Sequence, residues 1–122
     1  MKFAKYTFLI AGIYGIIALV PMYFMKDYVG QENPPAITHP EFFYGFIGVA
    51  LAWQFVFLII SRDPAKYRSL MLPSILEKLA WGVPVLILFF QNKVSTSILV
   101  AGMIDLFWGV LFVAAFLKTE RV

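Results

Sequence analysis

Apolar positions dominate four long stretches of this chain, and polar positions collect between them. The stretches cover residues 6–25, 42–61, 71–91 and 94–117. Each has about the 20 residues of helix that cross a hydrocarbon core of about 30 Å. The connections are residues 26–41, 62–70 and a short turn near Asn92 and Lys93. The pattern predicts an all-α polytopic membrane protein: an antiparallel four-transmembrane-helix bundle forming a single membrane domain over residues 1–122. The second and third helices share a short loop, as do the third and fourth, so each pair should lie adjacent. No internal repeat is visible. The first stretch has the basic start and apolar run of a secretory signal, but it is long. It ends in Pro21, Met22, Tyr23, Phe24 and Met25 without small residues for cleavage, so a retained helix is expected.

Polar and small residues refine this picture. In the long connection, Asn33-Pro34-Pro35 reads as a turn or extended segment. Thr38-x-x-Glu41 fits a capping box for the second helix, with Pro40 in its first turn. Pro73 followed by Ser74-x-x-Glu77 suggests the same device for the third. Ser95, Thr96 or Ser97 can cap the fourth. Small residues where helices can approach closely are Ala11, Gly15 and Ala18, then Gly45, Gly48 and Ala52, then Ala101, Gly102 and Gly109.

Composition agrees with the pattern and removes other classes. Of 122 residues, 61% are hydrophobic and 14% charged, and the mean hydropathy is +0.83. Soluble domains carry about 25% charge. Disorder needs low hydrophobicity. With no Cys, disulfides, thiolate metal sites and a Cys nucleophile are excluded. The placement of charge matters more than the net of +3. Lys2, Lys5, Arg62, Lys66, Arg68, Lys118 and Arg121 fall on one side of the expected membrane, and Lys26 and Lys93 on the other. The positive-inside bias then puts both termini in the cytoplasm, and a bacterial inner membrane is expected. No nucleic-acid motif accompanies the basic residues, so no nucleic-acid partner is expected.

The candidate chemistry lies inside the spans. A carboxylate there is costly and marks a site by default, and two occur, Glu77 and Asp105. Asp105 lies about 16 Å into the fourth helix and Glu77 about 9 Å into the third. A turn near Asn92 and Lys93 sets Glu77 opposite Trp108 and Asp105 opposite Ala80. Gln54 falls level with residues 77 and 78. Trp81 is one turn after Glu77, and Trp108 one turn after Asp105. Tyr14 shares a face with Thr7, Ala11 and Ala18. The expected ligand-binding set is therefore Tyr14, Gln54, Glu77, Trp81, Asp105 and Trp108, with Asp105 and Glu77 as the candidate catalytic acids if there is catalysis. The plainer alternatives are that Glu77 completes the Ser74 cap, Lys78 snorkels to the interface, Asp105 makes a structural hydrogen bond, and the others pack. His39, the single His, lacks the clustered ligands of a metal site, so no metal is expected. No Ser-His-Asp triad or phosphate-cradling loop can be assembled, and no cofactor is expected.

Residues 39–54, with Arg62-Asp63-Pro64-Ala65-Lys66-Tyr67-Arg68 and Leu76-Glu77-Lys78-Leu79-Ala80, resemble a widespread group of small bacterial four-helix membrane proteins. That likeness brings no activity with it. More distantly, Trp53-Gln54-Phe55-Val56-Phe57 with Pro73-Ser74-Ile75-Leu76 and Pro84-Val85-Leu86-Ile87 is similar to the EXPERA superfamily of emopamil-binding sterol isomerases and the sigma-2 receptor. This resemblance implies an aromatic, acidic pocket for sterols or amphiphilic amines. Ala50 stands where that family carries an acid on the second helix.

The leading expectation is a non-enzymatic membrane protein that binds membrane lipid or a lipophilic small molecule in an aromatic and acidic pocket. Alternatives are a sterol- or polyprenyl-type isomerase using the carboxylates, an oligomeric transporter or channel subunit, and an accessory subunit of a membrane complex. A homo-oligomer is compatible with each.

Overall fold

A computed structural model describes residues 2–119; Arg121 of the expected basic tail lies outside them. The chain is all-helical. Helix α1 spans Lys2–Leu19 and continues as a 3-10 stretch, Val20–Phe24. Pro21 lies in the first turn of that stretch, where a missing N–H is least costly. Helix α2, Lys26–Glu32, occupies the connection that the hydrophobic pattern leaves as loop. Helices α3 (Pro40–Arg62), α4 (Met71–Phe90) and α5 (Thr96–Lys118) follow, with a 3-10 turn, Arg68–Leu70, leading into α4. Four segments of 23 residues, Lys2–Phe24, Pro40–Arg62, Arg68–Phe90 and Thr96–Lys118, are long and apolar enough to cross a membrane. Their outward faces carry large apolar side chains such as Ile17, Val49, Leu76 and Val110.

Two of the three expected caps are absent. Helix α3 begins at Pro40, which makes His39 the cap residue, and no side chain caps the helix. Helix α4 begins at Met71 because the 3-10 turn feeds directly into it. Pro73 therefore falls in the first turn, where the N–H groups are free anyway. Ser74 is then interior, and its Oγ donates to the Leu70 carbonyl at 2.7 Å. Glu77 consequently completes no capping box. The third cap is present: Ser95 Oγ accepts from Ile98 N–H at 3.4 Å. Ser95 also donates to Asn33 Oδ1 and pairs with Ser97 Oγ at 2.9 Å, tying the segment after α2 to the start of α5. Ser95→Ala is expected to lower stability by about 1 kcal/mol, measured as the midpoint of SDS-induced unfolding in mixed micelles.

Helix pairing follows small residues of α1, α4 and α5, whereas Gly45 and Ala52 on α3, where close approach was also expected, are exposed and meet no helix. Helix α1 packs extensively on α3, α4 on α5, and α1 also packs on α5, while α3 and α4 barely touch. The last point departs from the adjacency expected of sequential helices. Gly12 and Gly15 let α1 approach Gln54 and Leu58 on α3. Gly82, Gly102 and Gly109 do the same between α4 and α5, against Leu106, Val85 and Lys78 respectively. Both close-packing faces are thus used, and the α3–α4 seam is left open.

At the end of the bundle near the 62–70 connection, the interior closes on three aromatic rings. Phe8 and Phe112 stack with centroids 4.2 Å apart, and Phe57 meets Phe112 edge-on at 4.9 Å. Ala4, Ala11, Ile60, Met71 and Ala115 fill the space around them. Arg68 closes this end. Its Nε donates to the carbonyls of Phe116 at 3.2 Å and Thr119 at 2.8 Å, and its guanidinium lies 3.7 Å from the Phe116 ring centre. It thereby satisfies carbonyls that the end of α5 leaves without helical partners.

Candidate functional site

Beyond the aromatic plug the helices part. A cavity of about 430 Å³ extends from the α2 end of the bundle to mid-span. Val29, Asn33 and Ser97 lie at its outer end, and Tyr14, Gly15, Ala18, Phe46, Ala50, Gln54, Glu77, Lys78, Trp81, Ala101 and Asp105 line its walls and base. Five of the six residues singled out from the sequence therefore share one cavity: Tyr14, Gln54, Glu77, Trp81 and Asp105. The sixth, Trp108, does not line it. Its ring lies against Tyr14 at 6.2 Å and Phe112 at 6.4 Å, as part of the packing around the plug.

The register between α4 and α5 also departs from the expected one. Gly109 lies opposite Lys78 and Gly102 opposite Val85. That is about two residues from the expected pairing, because the turn after α4 runs to the Ser95 cap before α5 begins. Asn92 takes the left-handed conformation in that turn (φ 59°), which Asn tolerates better than most residues. Trp108 is thereby level with Leu79, and it misses the cavity because its ring turns to Tyr14 on α1 and to Phe112.

Lys78 is the residue that the sequence reading misplaced. It does not snorkel to an interface; it is 5% exposed and lies in the bundle interior. Its Nζ sits 3.6 Å from Glu77 Oε1 and 3.7 Å from Asp105 Oδ1. The same ammonium is 5.0 Å from the Phe57 ring centre and 6.0 Å from that of Phe112. Lys78 thus joins the aromatic plug to the two carboxylates. Gly109 leaves space for its stem, since a Cβ there would already sit 3.4 Å from Lys78 Cβ. A signal was present in the sequence: charges within a span face the interior and pair, and Asp105 and Gly109 are one helical turn apart.

Gln54 is 2% exposed. Its Nε2 donates to the Ala50 carbonyl at 2.8 Å, one turn back on α3. Its Oε1 is buried without a hydrogen-bond donor, and so is Glu77 Oε1, for which the 3.6 Å to Lys78 is beyond hydrogen-bond reach. In their ordinary charge states, Glu77, Lys78 and Asp105 sum to one negative charge. The cavity base is therefore rich in acceptors, next to the Trp81 and Tyr14 rings. Such a wall can hold an ammonium by ion pairing and cation–π contact, or a hydroxyl by hydrogen bonding.

A second depression lies along the α3–α4 seam. It has a volume of about 730 Å³ and is lined by Phe42, Gly45, Phe46, Val49, Ala50, Trp53, Leu76, Glu77, Ala80 and Trp81, with Glu41 and Pro73 at its margins. Phe46, Ala50, Glu77 and Trp81 line both spaces. The Phe46 and Trp81 rings face each other across the seam at 5.8 Å.

His39 stands apart from both. Its imidazole stacks on Phe42 at 5.0 Å, and Nδ1 is 4.0 Å from Glu41 Oε1, with both side chains exposed. Among the described residues, no three His, Asp or Glu side chains are grouped to hold a metal ion.

Fold and site together define a class: a helical bundle with four membrane-length helices around a charged, aromatic-walled cavity. The chain matches no family model, no curated protein and no solved structure.

Proposed function

We propose that this chain is an integral membrane protein, an antiparallel bundle with both termini on the cytoplasmic side of a bacterial inner membrane. In this reading it binds a lipid or lipophilic small molecule among its helices. The observation that supports it is the cavity in which Gln54, Glu77, Lys78 and Asp105 gather at mid-span beneath aromatic walls. Charged and polar side chains grouped around a space inside apolar spans are costly to bury and mark a site by default. The volume of about 430 Å³ lies within the range of small-molecule sites. Asp105 and Glu77 serve as polar anchors, and Trp81 and Tyr14 as walls.

The test is mass spectrometry of small molecules that co-purify in mild detergent. Wild-type protein is expected to retain a discrete lipophilic species, and Asp105→Asn to lose about 90% of it, roughly a 1.4 kcal/mol change in affinity. Ala101→Trp, which fills the cavity without touching the charges, is expected to lose it as well. Equal retention by both variants would overturn the reading.

The two carboxylates bordering one cavity also favour a second reading, an isomerase that moves a carbon–carbon double bond in a sterol or polyprenyl substrate. One carboxyl would protonate an alkene carbon while the other removes a proton from the allylic position. Incubation with such substrates in D₂O checks this. The isomerase would incorporate deuterium at the new C–H, and the Asp105→Asn variant would not.

A further inference from the structure

We propose that the cleft at the end of α3 binds an anionic phospholipid, whose phosphate is held by Arg62 and Lys66. The proposal rests on the membrane-spanning reading of the helices and not on any occupant of the interior cavity.

One end of the bundle carries most of its positive charge. Arg68 reaches the Thr119 carbonyl, and the Lys118 ammonium lies 4.3 Å from the Phe3 ring centre. The 62–70 connection, the start of α1 and the end of α5 therefore meet there. Among the described residues, this end gathers Lys2, Lys5, Arg62, Lys66, Arg68 and Lys118 against one acid, Asp63. At the other end, Asp27, Glu32 and Glu41 outnumber Lys26 and Lys93. A basic segment at a span end attracts the anionic lipids of the leaflet it meets.

Within this charge, Arg62 and Lys66 are set apart by their surroundings. They share a cleft of about 440 Å³ with Ile59, Asp63 and Tyr67. Its walls are held in place. Tyr67 packs against the aromatic core, and the Lys66 ammonium lies 5.4 Å from the Tyr67 ring centre. Asp63 fixes the turn: its carbonyl accepts from Tyr67 N–H at 3.1 Å, and its Oδ1 from Lys66 N–H at 3.3 Å. Among the described residues, neither Arg62 nor Lys66 has a carboxylate within 4 Å. Arg68, by contrast, is engaged by the carbonyls at the end of α5. The cleft thus holds two cations against one carboxylate, at the border of the spans.

A phosphodiester supplies what is missing. It carries a single negative charge, and its oxygens suit a guanidinium fork and an ammonium. Ile59 favours a lipid over a free anion. It lies in the last turn of α3 and is 45% exposed, and Phe55, one turn earlier on the same face, is 52% exposed. A phosphate seated at Arg62 and Lys66 sets acyl chains along this apolar ridge, which a soluble anion would leave uncovered.

The experiment uses the full chain in dodecylmaltoside micelles doped with phosphatidylglycerol and phosphatidylcholine, and native mass spectrometry counts the lipids retained. Wild-type protein is expected to hold one phosphatidylglycerol at least about tenfold more tightly than phosphatidylcholine. Arg62→Gln with Lys66→Gln should cut that preference by about tenfold. Lys2→Gln with Lys5→Gln removes the same charge from the same end and should leave the preference unchanged. All four side chains are exposed, so the unfolding midpoints should not move. Ala101→Trp, which fills the interior cavity, should not alter this lipid either, so the outcome is separate from that of the cavity reading. Equal losses in the two double variants show diffuse attraction to the basic end and overturn the site, as does a preference kept by Arg62→Gln with Lys66→Gln. Equal retention of the two lipids overturns the anionic class. Displacement by glycerol 3-phosphate at matched ionic strength, as effective as by short-chain phosphatidylglycerol, shows a free-phosphate site and overturns the lipid assignment.

Discussion

Lys78→Met is expected to be the most damaging single substitution in the bundle, costing about 3–5 kcal/mol. The ammonium lies within 4 Å of both Glu77 and Asp105. Met fills most of the same volume, so little packing is lost. What is lost is the counter-charge of two carboxylates held inside an apolar bundle. Unpaired charges there are far costlier than an uncharged set of similar shape. The signature is therefore recovery. Adding Glu77→Gln and Asp105→Asn to Lys78→Met should restore most of the stability, and the shortfall from additivity measures the coupling of the three groups. SDS titration in dodecylmaltoside micelles reads the unfolding midpoints. A Lys78→Met protein as stable as wild type would show that the ammonium does not balance the carboxylates.

The second large effect is expected on the opposite helix pair. A Cβ at Gly12 would lie 2.8 Å from Leu58 Cδ2 and 2.9 Å from the Gln54 carbonyl oxygen. The leucine can rotate, but the carbonyl is backbone and cannot. Gly12→Ala must therefore push α1 away from α3, at a cost of about 1–3 kcal/mol. Gly12→Leu should cost more. At Gly15 the added Cβ would overlap the Gln54 side-chain amide, so Gly15→Ala is expected to displace Gln54 and weaken ligand retention together with stability. Gly45→Ala is the control. It meets no neighbour and should be neutral or gain up to about 1 kcal/mol. The same micelle titration ranks the variants, and an unaltered midpoint for Gly12→Ala would contradict the close α1–α3 contact.

The four spans were legible because a membrane-length run of apolar residues is a strong, local signal. Their observed limits differ from the expected ones by only a few residues. Helix α2 was not legible: at seven residues, with a glycine inside it, it carries no periodic signal. The capping boxes at Thr38 and Ser74 misled for a related reason. A four-residue spacing does not say where a helix begins, and a start one residue downstream, at Pro40, or three residues upstream of the expected cap, at Met71, turns a cap residue into a bystander. The candidate site was legible as a list of polar residues in apolar spans. Its arrangement was not, because helical spacing does not say which neighbour a ring turns to, and Trp108 packs on Tyr14 and Phe112 instead of lining the cavity. Lys78 was misread through its neighbourhood in sequence. Beside a span end it looks like an interfacial lysine, and only the helix pairing reveals two carboxylates within its reach.

The unequal pairing of the helices has a mechanical consequence. Helices α1 and α3 form one leaf, α4 and α5 another, and the α1–α5 contact is the spine along which the leaves are bound. The free margins, α3 and α4, share little contact that must break if they part. Lipid tails are as apolar as the side chains they would replace there, so widening the gap carries almost no hydrophobic cost. The stacked Phe8 and Phe112 rings pin the foot of the spine, and Ser95 with Asn33 ties the two leaves at the other end. The α3–α4 margin is then the part of the bundle held least by protein contact, and in a membrane the surrounding acyl chains would set its width as much as the protein does.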